Sequence, residues 1–287
     1  MNKIAIAGYT GFIGSKLKNK LVKKGYDLVL INREDFLLDD ESFRKKLIDC
    51  STVINLCGSP VIKRWNAKNK KKIISSRVNT TRKIVDALEL INSHKIKLIN
   101  ASAIGIYLHG KRHTEESTVY ENDFLSDTVK QWEETALHAQ SSGHYVGLCR
   151  FGVVMGKQGG AFPKMILPFK IGFGGKIGSG NQTFSYIHIK DVVEGIIFLI
   201  LNKEMNGIFN FVAPDIVSNQ EFTDTTAKIY DKKAFFTVPA FLVKLFLGKA
   251  SVMLLEGADV IPERLLESGF KFKYDTLEKT LISIKES

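Results

Sequence analysis

Three cysteines in 287 residues, Cys50, Cys57 and Cys149, lack both the spacing that holds zinc and the density that builds a disulfide framework. No metal site is expected, and the thiols read as small apolar residues on or beside strands. Long apolar runs are missing too. The longest, at 195–201 and 241–247, fall well short of the roughly 20 residues of a spanning helix, so no membrane partner is expected. Met1 stands directly ahead of an apolar strand and leaves no room for a secretory leader, which points to a cytoplasmic setting. Internal repeats are absent. Acidic residues are the scarcer sign, with 30 Asp and Glu against 41 Lys and Arg and a net charge of +11. The excess is spread along helix faces, and its densest run, Lys68 to Lys72, opens a helix whose other side is apolar. No aromatic-interleaved basic patch accompanies it, so a lysine-rich solvated surface is expected rather than a nucleic-acid partner.

What is present begins at once. Lys3 to Ala7 reads as a short buried strand, glycines follow at 8, 11 and 14, and a helical repeat places Ile13, Leu17 and Leu21 on one face before Gly25. Strand, glycine turn and helix make a cradle for a dinucleotide diphosphate. Gly8 permits the sharp turn, Gly11 lets phosphate approach the backbone, and Gly14 lets helix and strand pack closely. The helix head then offers free N–H groups and partial positive charge. The spacing is Gly-x-x-Gly-x-x-Gly, which marks one branch of dinucleotide binders.

Strand-like runs at 26–32, 36–38, 52–57, 97–102 and Tyr145–Phe151 alternate with helical periodicity at 42–48, 66–91 and 124–141. That alternation predicts an α/β fold, a Rossmann-type doubly wound parallel sheet, with a small C-terminal substrate or lid region. Residues 1–155 form the expected dinucleotide-binding core. Residues 156–287 form a substrate-covering segment with the completing strands, helices and C-terminal region. The glycine- and aromatic-rich stretch 156–180 is too apolar for a disordered linker.

The end of the second strand discriminates between NAD and NADP, since an acid there binds the ribose 2′-OH and a cation the 2′-phosphate. Here it reads Ile31-Asn32-Arg33, with Glu34 and Asp35 after it. Arg33 suits bidentate phosphate binding and favours NADP(H). The alternative leaves Arg33 in solvent and gives the ribose to Glu34 or Asp35.

The glycine spacing, the strand Val53-Ile54-Asn55-Leu56-Cys57-Gly58 and Asn100-Ala101-Ser102 resemble the extended short-chain dehydrogenases/reductases. Arg64-Trp65-Asn66, Ser76-Arg77-Val78-Asn79, Gln131-Trp132-Glu133 and Tyr186-Ile187-His188 narrow this to its atypical epimerase-family subgroup. So do Arg150-Phe151-Gly152 and the C-terminal Val260-Ile261-Pro262-Glu263-Arg264. The resemblance covers essentially the whole chain. It implies NADP-type contacts from Gly8, Thr10, Gly11, Phe12, Ile13 and Gly14, from Asn32 and Arg33, from Leu56 and Cys57, and from Arg77 and Val153. Leu56 and Cys57 also read as strand core, and Arg77 as a solvated helix residue.

Ordinary members of this superfamily pair a Ser or Thr after the strand at 97–102 with Tyr-x-x-x-Lys on the next helix, for proton exchange during hydride transfer. Ser102 matches the first position. Leu125 and Val129 stand where tyrosine and lysine belong, within an apolar stripe that includes Trp132 and Ala136. Tyr107 with Lys111 repeats the pattern literally but lies in a glycine-containing loop, and Tyr107 reads as structural. Lys130 would point about 100° away. His188 reads as a packed, hydrogen-bonded residue and Asp191 as the cap of a helix at 192–201. Arg150 would either clamp an anionic substrate or pair with an internal acid. The expected protein binds NADP(H) and acts as an oxidoreductase or epimerase on a small-molecule substrate, with Ser102 orienting the reacting oxygen. The alternative is a non-catalytic module that senses NADPH.

Overall fold

Apolar runs bounded by turn residues become the centre of a parallel sheet, where helices cover both faces. The computed structural model describes residues 3–287, so Met1, read above as the lead into the first strand, lies outside the described residues with Asn2. The chain opens with β1 (Lys3–Ala7), α1 (Phe12–Lys23), β2 (Asp27–Ile31), α2 (Asp40–Leu47) and β3 (Thr52–Asn55). Helix α3 (Ala67–Ile74) passes through a π-helical turn (Ser75–Asn79) into α4 (Thr80–Glu89). Then come β4 (Lys97–Ala103), β5 (Arg112–His113), α5 (Phe124–Leu137) and β6 (Tyr145–Phe151). The second half holds β7 (Val153–Met155), α6 (Phe162–Lys170), β8 (Gly175–Ile177), β9 (Tyr186–His188), α7 (Ile189–Leu201) and β10 (Gly207–Phe211). It ends with α8 (Asn219–Tyr230), β11 (Phe236–Val238), α9 (Ala240–Leu247), α10 (Val252–Leu255), β12 (Asp259–Val260), α11 (Glu263–Glu267) and α12 (Leu277–Glu286).

Six strands form one parallel sheet in the order β10-β6-β4-β3-β1-β2. This is the expected doubly wound Rossmann-type fold. Side chains alternate across it with period two. Ile4 and Ile6 of β1 join Leu17, Leu21 and Ile196 beneath α1 and α7. Ala5 and Ala7 join Val53, Leu88 and Ala136 beneath α2, α4 and α5. β1 pairs with β2 on one side and β3 on the other, so the chain reverses its winding there. The crevice above the carboxyl ends of β1 and β3 is where such folds place a ligand.

Several local expectations change. Residues 36–38 are not a strand: Glu34–Leu37 form a 3-10 turn, because Asp35 turns inward and accepts from Asn32 N at 2.8 Å. The helix at 66–91 is interrupted by the π turn that carries Arg77. Helix α5 stops at Leu137 and a 3-10 turn, His138–Gln140, replaces its expected last turn. Helix α7 starts earlier than expected, with His188 as its cap accepting from Lys190 N at 3.1 Å. Asp191 therefore does not cap it; its oxygens accept from Lys273 N and Tyr274 N at 3.0 and 2.9 Å and tie down the C-terminal segment.

That segment is fastened at other points as well. β12 pairs with β5, and Asp215 accepts from both Tyr186 Oη and Leu277 N. Ala258 and Val260 pack with Ile106, Tyr107, Val129 and Val212.

Candidate dinucleotide site

The site is built at the tips of adjacent strands. Gly8 follows β1 at φ +79°, and a Cβ there would stand 2.7 Å from the Leu56 carbonyl. A Cβ on Gly14 would stand 2.2 Å from Gly8 O, so only glycine lets α1 approach the turn this closely. Gly11 is the N-cap of α1 in extended conformation, offers no side-chain cap, and is followed by no acid in the first turn. Among the described residues the first N–H groups of α1 therefore have no side-chain partners, and they carry the positive end of the helix dipole. A cradle that a Cβ would fill, beneath an uncapped and acid-free helix head, fits a diphosphate.

The glycines at 156 and 159 turn out to serve this same head. Cβ atoms built there would stand 2.8 and 2.5 Å from the Phe12 ring, so the loop after β7 closes over the first residue of α1. Lys16 Nζ donates to Gln158 Oε1 at 2.9 Å from the same side. Thr10 is exposed beside the turn, whereas the side chains of Ile13 and Leu56 pack into the sheet core. Any cofactor contact of Ile13 and Leu56 is thus restricted to backbone and flank.

At the tip of β2, Asn32 and Arg33 are exposed. Asp35 is only 6% exposed, and its carboxylate is paired with Lys46 at 2.7 Å and with Asn32 N. Asn32 Oδ1 accepts from Asp35 N in return at 3.1 Å. Asp35 is removed from ribose recognition by this reciprocal turn. Among the described residues Arg33 has no ion pair, and its positive charge opposes the burial that pushes the Cys57 thiol up to about 11.

Beneath the strand tips lies a polar network that the motif reading missed. Asn55 Nδ2 donates to Thr81 Oγ1 and to Asn100 Oδ1, both at 2.8 Å. Trp132 Nε1 donates to the same Thr81 oxygen at 2.8 Å. Asn55 Oδ1 accepts from Cys57 N at 3.1 Å and so holds the backbone against which Gly8 turns. The signal in the sequence is a set of amide and hydroxyl side chains inside apolar strand and helix patterns, where each needs a partner.

Arg77 is not a solvated helix residue. Its Nη1 donates to Ser59 O and Ile73 O at 3.1 and 3.3 Å, and its guanidinium lies 5.2 Å from the Trp132 ring centroid. A Cβ on Gly58 would stand 3.1 Å from Nη2, so the fork abuts the chain leaving β3. Burial alone lowers the guanidinium to about 10, with no carboxylate offsetting it. Among the described residues the guanidinium is thus a desolvated cation with carbonyl acceptors and no paired carboxylate. Val153, on β7, is half-buried, packs towards the cluster around Phe162 and Tyr186, and gives its N–H to Ser185 O at 2.9 Å.

The expected catalytic positions are placed differently from the resemblance. Ser102 is 3% exposed and donates its hydroxyl to Glu133 Oε1. Arg150 grips that carboxylate with Nε at 2.8 Å and Nη2 at 2.7 Å, which resolves its alternatives in favour of an internal acid. The β4–β6 register sets Ser102 opposite Arg150, and α5 lays Glu133 over both. The hydroxyl proton of Ser102 is thus directed into a buried ion pair. Val129 is buried against Tyr107 and Val212, and Leu125 lies against Gly105. Tyr107 donates to Asn210 Oδ1 at 2.8 Å, and burial pushes its phenol up to about 12, so it is structural. His188 is packed, with its ring centroid 3.9 Å from that of Tyr274.

Comparison with known proteins decides the family. The sequence profile described as the NAD dependent epimerase/dehydratase family matches residues 4–211. The chain belongs to that family. A second profile, described as a domain of unknown function, DUF1731, matches residues 238–284. Epimerase family protein SH2119 of Staphylococcus haemolyticus is 36% identical over 97% of each chain. Epimerase family protein YfhF of Bacillus subtilis is 34% identical over 97% of this chain and 96% of its own. A crystal structure of the human epimerase family protein SDR39U1 with NADPH superposes with a TM-score of 0.92, at 30% identity and 99% coverage of both chains. MoeE5 in complex with UDP-glucose and NAD, at 19% identity and TM-score 0.79 over 99% of this chain and 98% of its own, shares the fold.

Proposed function

We propose that this chain binds NADP(H) and acts as an oxidoreductase or epimerase on a small molecule. One observation carries the reading: the acid-free, uncapped head of α1 sits over the Gly8–Gly14 cradle, with unpaired Arg33 at the neighbouring tip. Backbone N–H groups at Phe12 and Ile13 would hold the diphosphate over the turn that Gly11 N closes onto Gly8 O, with Thr10 at its flank. Arg33 and Asn32 would take the 2′-phosphate, since Asp35 is committed to Lys46. Arg77, Leu56, Cys57 and Val153 would line the remaining length. The presence of NADPH in the SDR39U1 structure supports this choice. When bound, the nicotinamide supplies or accepts a hydride.

Ser102 acts in this reading as a positioning residue. It stiffens β4 beneath the reacting region through Glu133 and Arg150. Leu125 and Val129 offer no proton, so the substrate's own groups or water supply it. The test is titration with NADPH and NADH, then oxidation of NADPH by a panel of ketones, aldehydes and nucleotide sugars, with product analysis for redox-neutral epimerisation. Tighter NADH binding overturns the cofactor assignment. A second reading, a non-catalytic NADPH-binding module, is favoured by the apolar packing of Leu125 and Val129. It predicts tight NADPH binding without turnover anywhere in the panel.

A further inference from the structure

The cofactor site leaves one face of the molecule unused, the face built by α6, β8, β11 and α9. Apolar side chains are turned outward there: Phe235, Phe241 and Phe246 are 76%, 67% and 73% exposed, and Ile171, Phe173 and Leu245 are more than half exposed. A single exposed leucine is ordinary, whereas a connected apolar face marks an interaction surface. The connections are direct. The rings of Phe173 and Phe236 lie 5.2 Å apart, and β8 pairs with β11 so that Gly175 faces Phe236. Phe173 N donates to Pro168 O of α6, and Gly178 N donates to Val238 O immediately before α9. On α9, Val243 is the buried residue, and Phe241, Lys244 and Leu245 share the outward side at three- and four-residue spacing.

Charge identifies the occupant. Residues 161–182 and 232–255, which supply these elements, contain seven lysines and no Asp or Glu. Lys170, Lys232, Lys233, Lys244 and Lys249 are exposed around the apolar side chains. The acids of α8, which packs beside β8, are engaged elsewhere: Glu221 with Ser218 and Asp224 with Gln220. A second copy of the same face would bring lysines against lysines, since the nearest exposed acids in sequence, Asp231 and Glu256, lie just outside these segments. Among the described residues no helix is long and apolar enough to cross a membrane, so any contact with lipid is at its surface.

We propose that this face docks the protein peripherally on an anionic membrane, with the outward Phe and Leu side chains entering the headgroup boundary and the lysines meeting lipid phosphates. The sequence-based expectation of no membrane partner rested on spanning length, which a surface contact does not require. The docking does not depend on the cofactor reading.

The test is co-sedimentation of the full chain with vesicles of phosphatidylcholine alone and of phosphatidylcholine mixed with phosphatidylglycerol. Pelleting is expected only with phosphatidylglycerol, and raising the salt from low to near-molar should weaken it by about tenfold or more. The double variant Phe241→Ser/Leu245→Ser, and separately Lys232→Glu/Lys233→Glu, should lose pelleting while keeping the wild-type melting temperature. No pelleting with phosphatidylglycerol at low salt overturns the proposal. So does pelleting that Phe241→Ser/Leu245→Ser leaves undiminished. A concentration-dependent dimer abolished by the same variants, without vesicle binding, reassigns the face to a second copy. Binding of mixed-sequence RNA in place of vesicles reassigns it to nucleic acid.

Discussion

The carboxylate of Asp35 lies 2.7 Å from the ammonium of Lys46, so the buried acid after β2 is already paired and the cation Arg33 is left facing solvent. Asp35 is thereby held back from this tip, where Asn32, Arg33 and Glu34 are the exposed side chains. Replacing Arg33 by Ala is expected to weaken NADPH about 10- to 100-fold, the scale of one or two charge-assisted hydrogen bonds, with little change for NADH. Calorimetric titration of both coenzymes checks this; equal losses for the two would remove Arg33 from phosphate recognition.

Gly14 tests the cradle. The Cβ of Gly14→Ala would meet the Gly8 carbonyl at 2.2 Å, so the helix must move or the turn must open. Overpacking of this kind costs about 1–3 kcal/mol. The expected outcome is a lower melting temperature together with loss of NADPH affinity. Alanine at Gly143, where an added Cβ meets nothing within 4 Å, would strain its local φ but leave coenzyme affinity unchanged.

The Ser102–Glu133–Arg150 cluster predicts an asymmetry. Glu133→Gln leaves the Arg150 guanidinium buried without its carboxylate, and breaking such a pair costs about 3–5 kcal/mol. Ser102→Ala removes one hydrogen bond and should cost only about 1 kcal/mol. Urea denaturation measures both. If Ser102→Ala abolished turnover while stability and NADPH affinity stayed at wild-type values, the serine would act directly on substrate instead.

His188 gives a pH dependence. Burial first, then the charges of Lys190 and Lys273, lower its imidazole to about 3 from an ordinary value near 6.5. Below about pH 6.5 the unfolded chain binds a proton there that the folded chain refuses, so this contribution to stability falls as pH falls. It is complete above the unfolded value and gone near the folded one. Between pH 6.5 and 5 the loss reaches at most about 2 kcal/mol. In His188→Gln the denaturation midpoint should respond less to pH over that window. An unchanged pH slope would mean that the folded protein accommodates the charged ring.

Much of the fold was legible because its signals are local. The strand Lys3–Ala7, the glycine triplet and the Leu17–Leu21 stripe lie within one short stretch, and each constrains its neighbours through backbone sterics and periodicity. The error at 36–38 had a tertiary cause: three apolar residues read as a strand, yet the inward turn of Asp35 towards Lys46 wound the segment into a 3-10 turn. Asp191 failed likewise. A good capping residue by type was drawn instead to the amides of Lys273 and Tyr274, some eighty positions away.

The division is clearest at the site. Residue order alone determined the phosphate cradle, the parallel winding and the cation at the tip of β2, since each depends on neighbours within a few positions. Strand register and helix docking decided the rest: that Ser102 meets Glu133 and Arg150, that Arg77 lies on Trp132, and that a glycine loop closes over Phe12. Those partners are far apart along the chain, and only packing selects which buried polar group answers which.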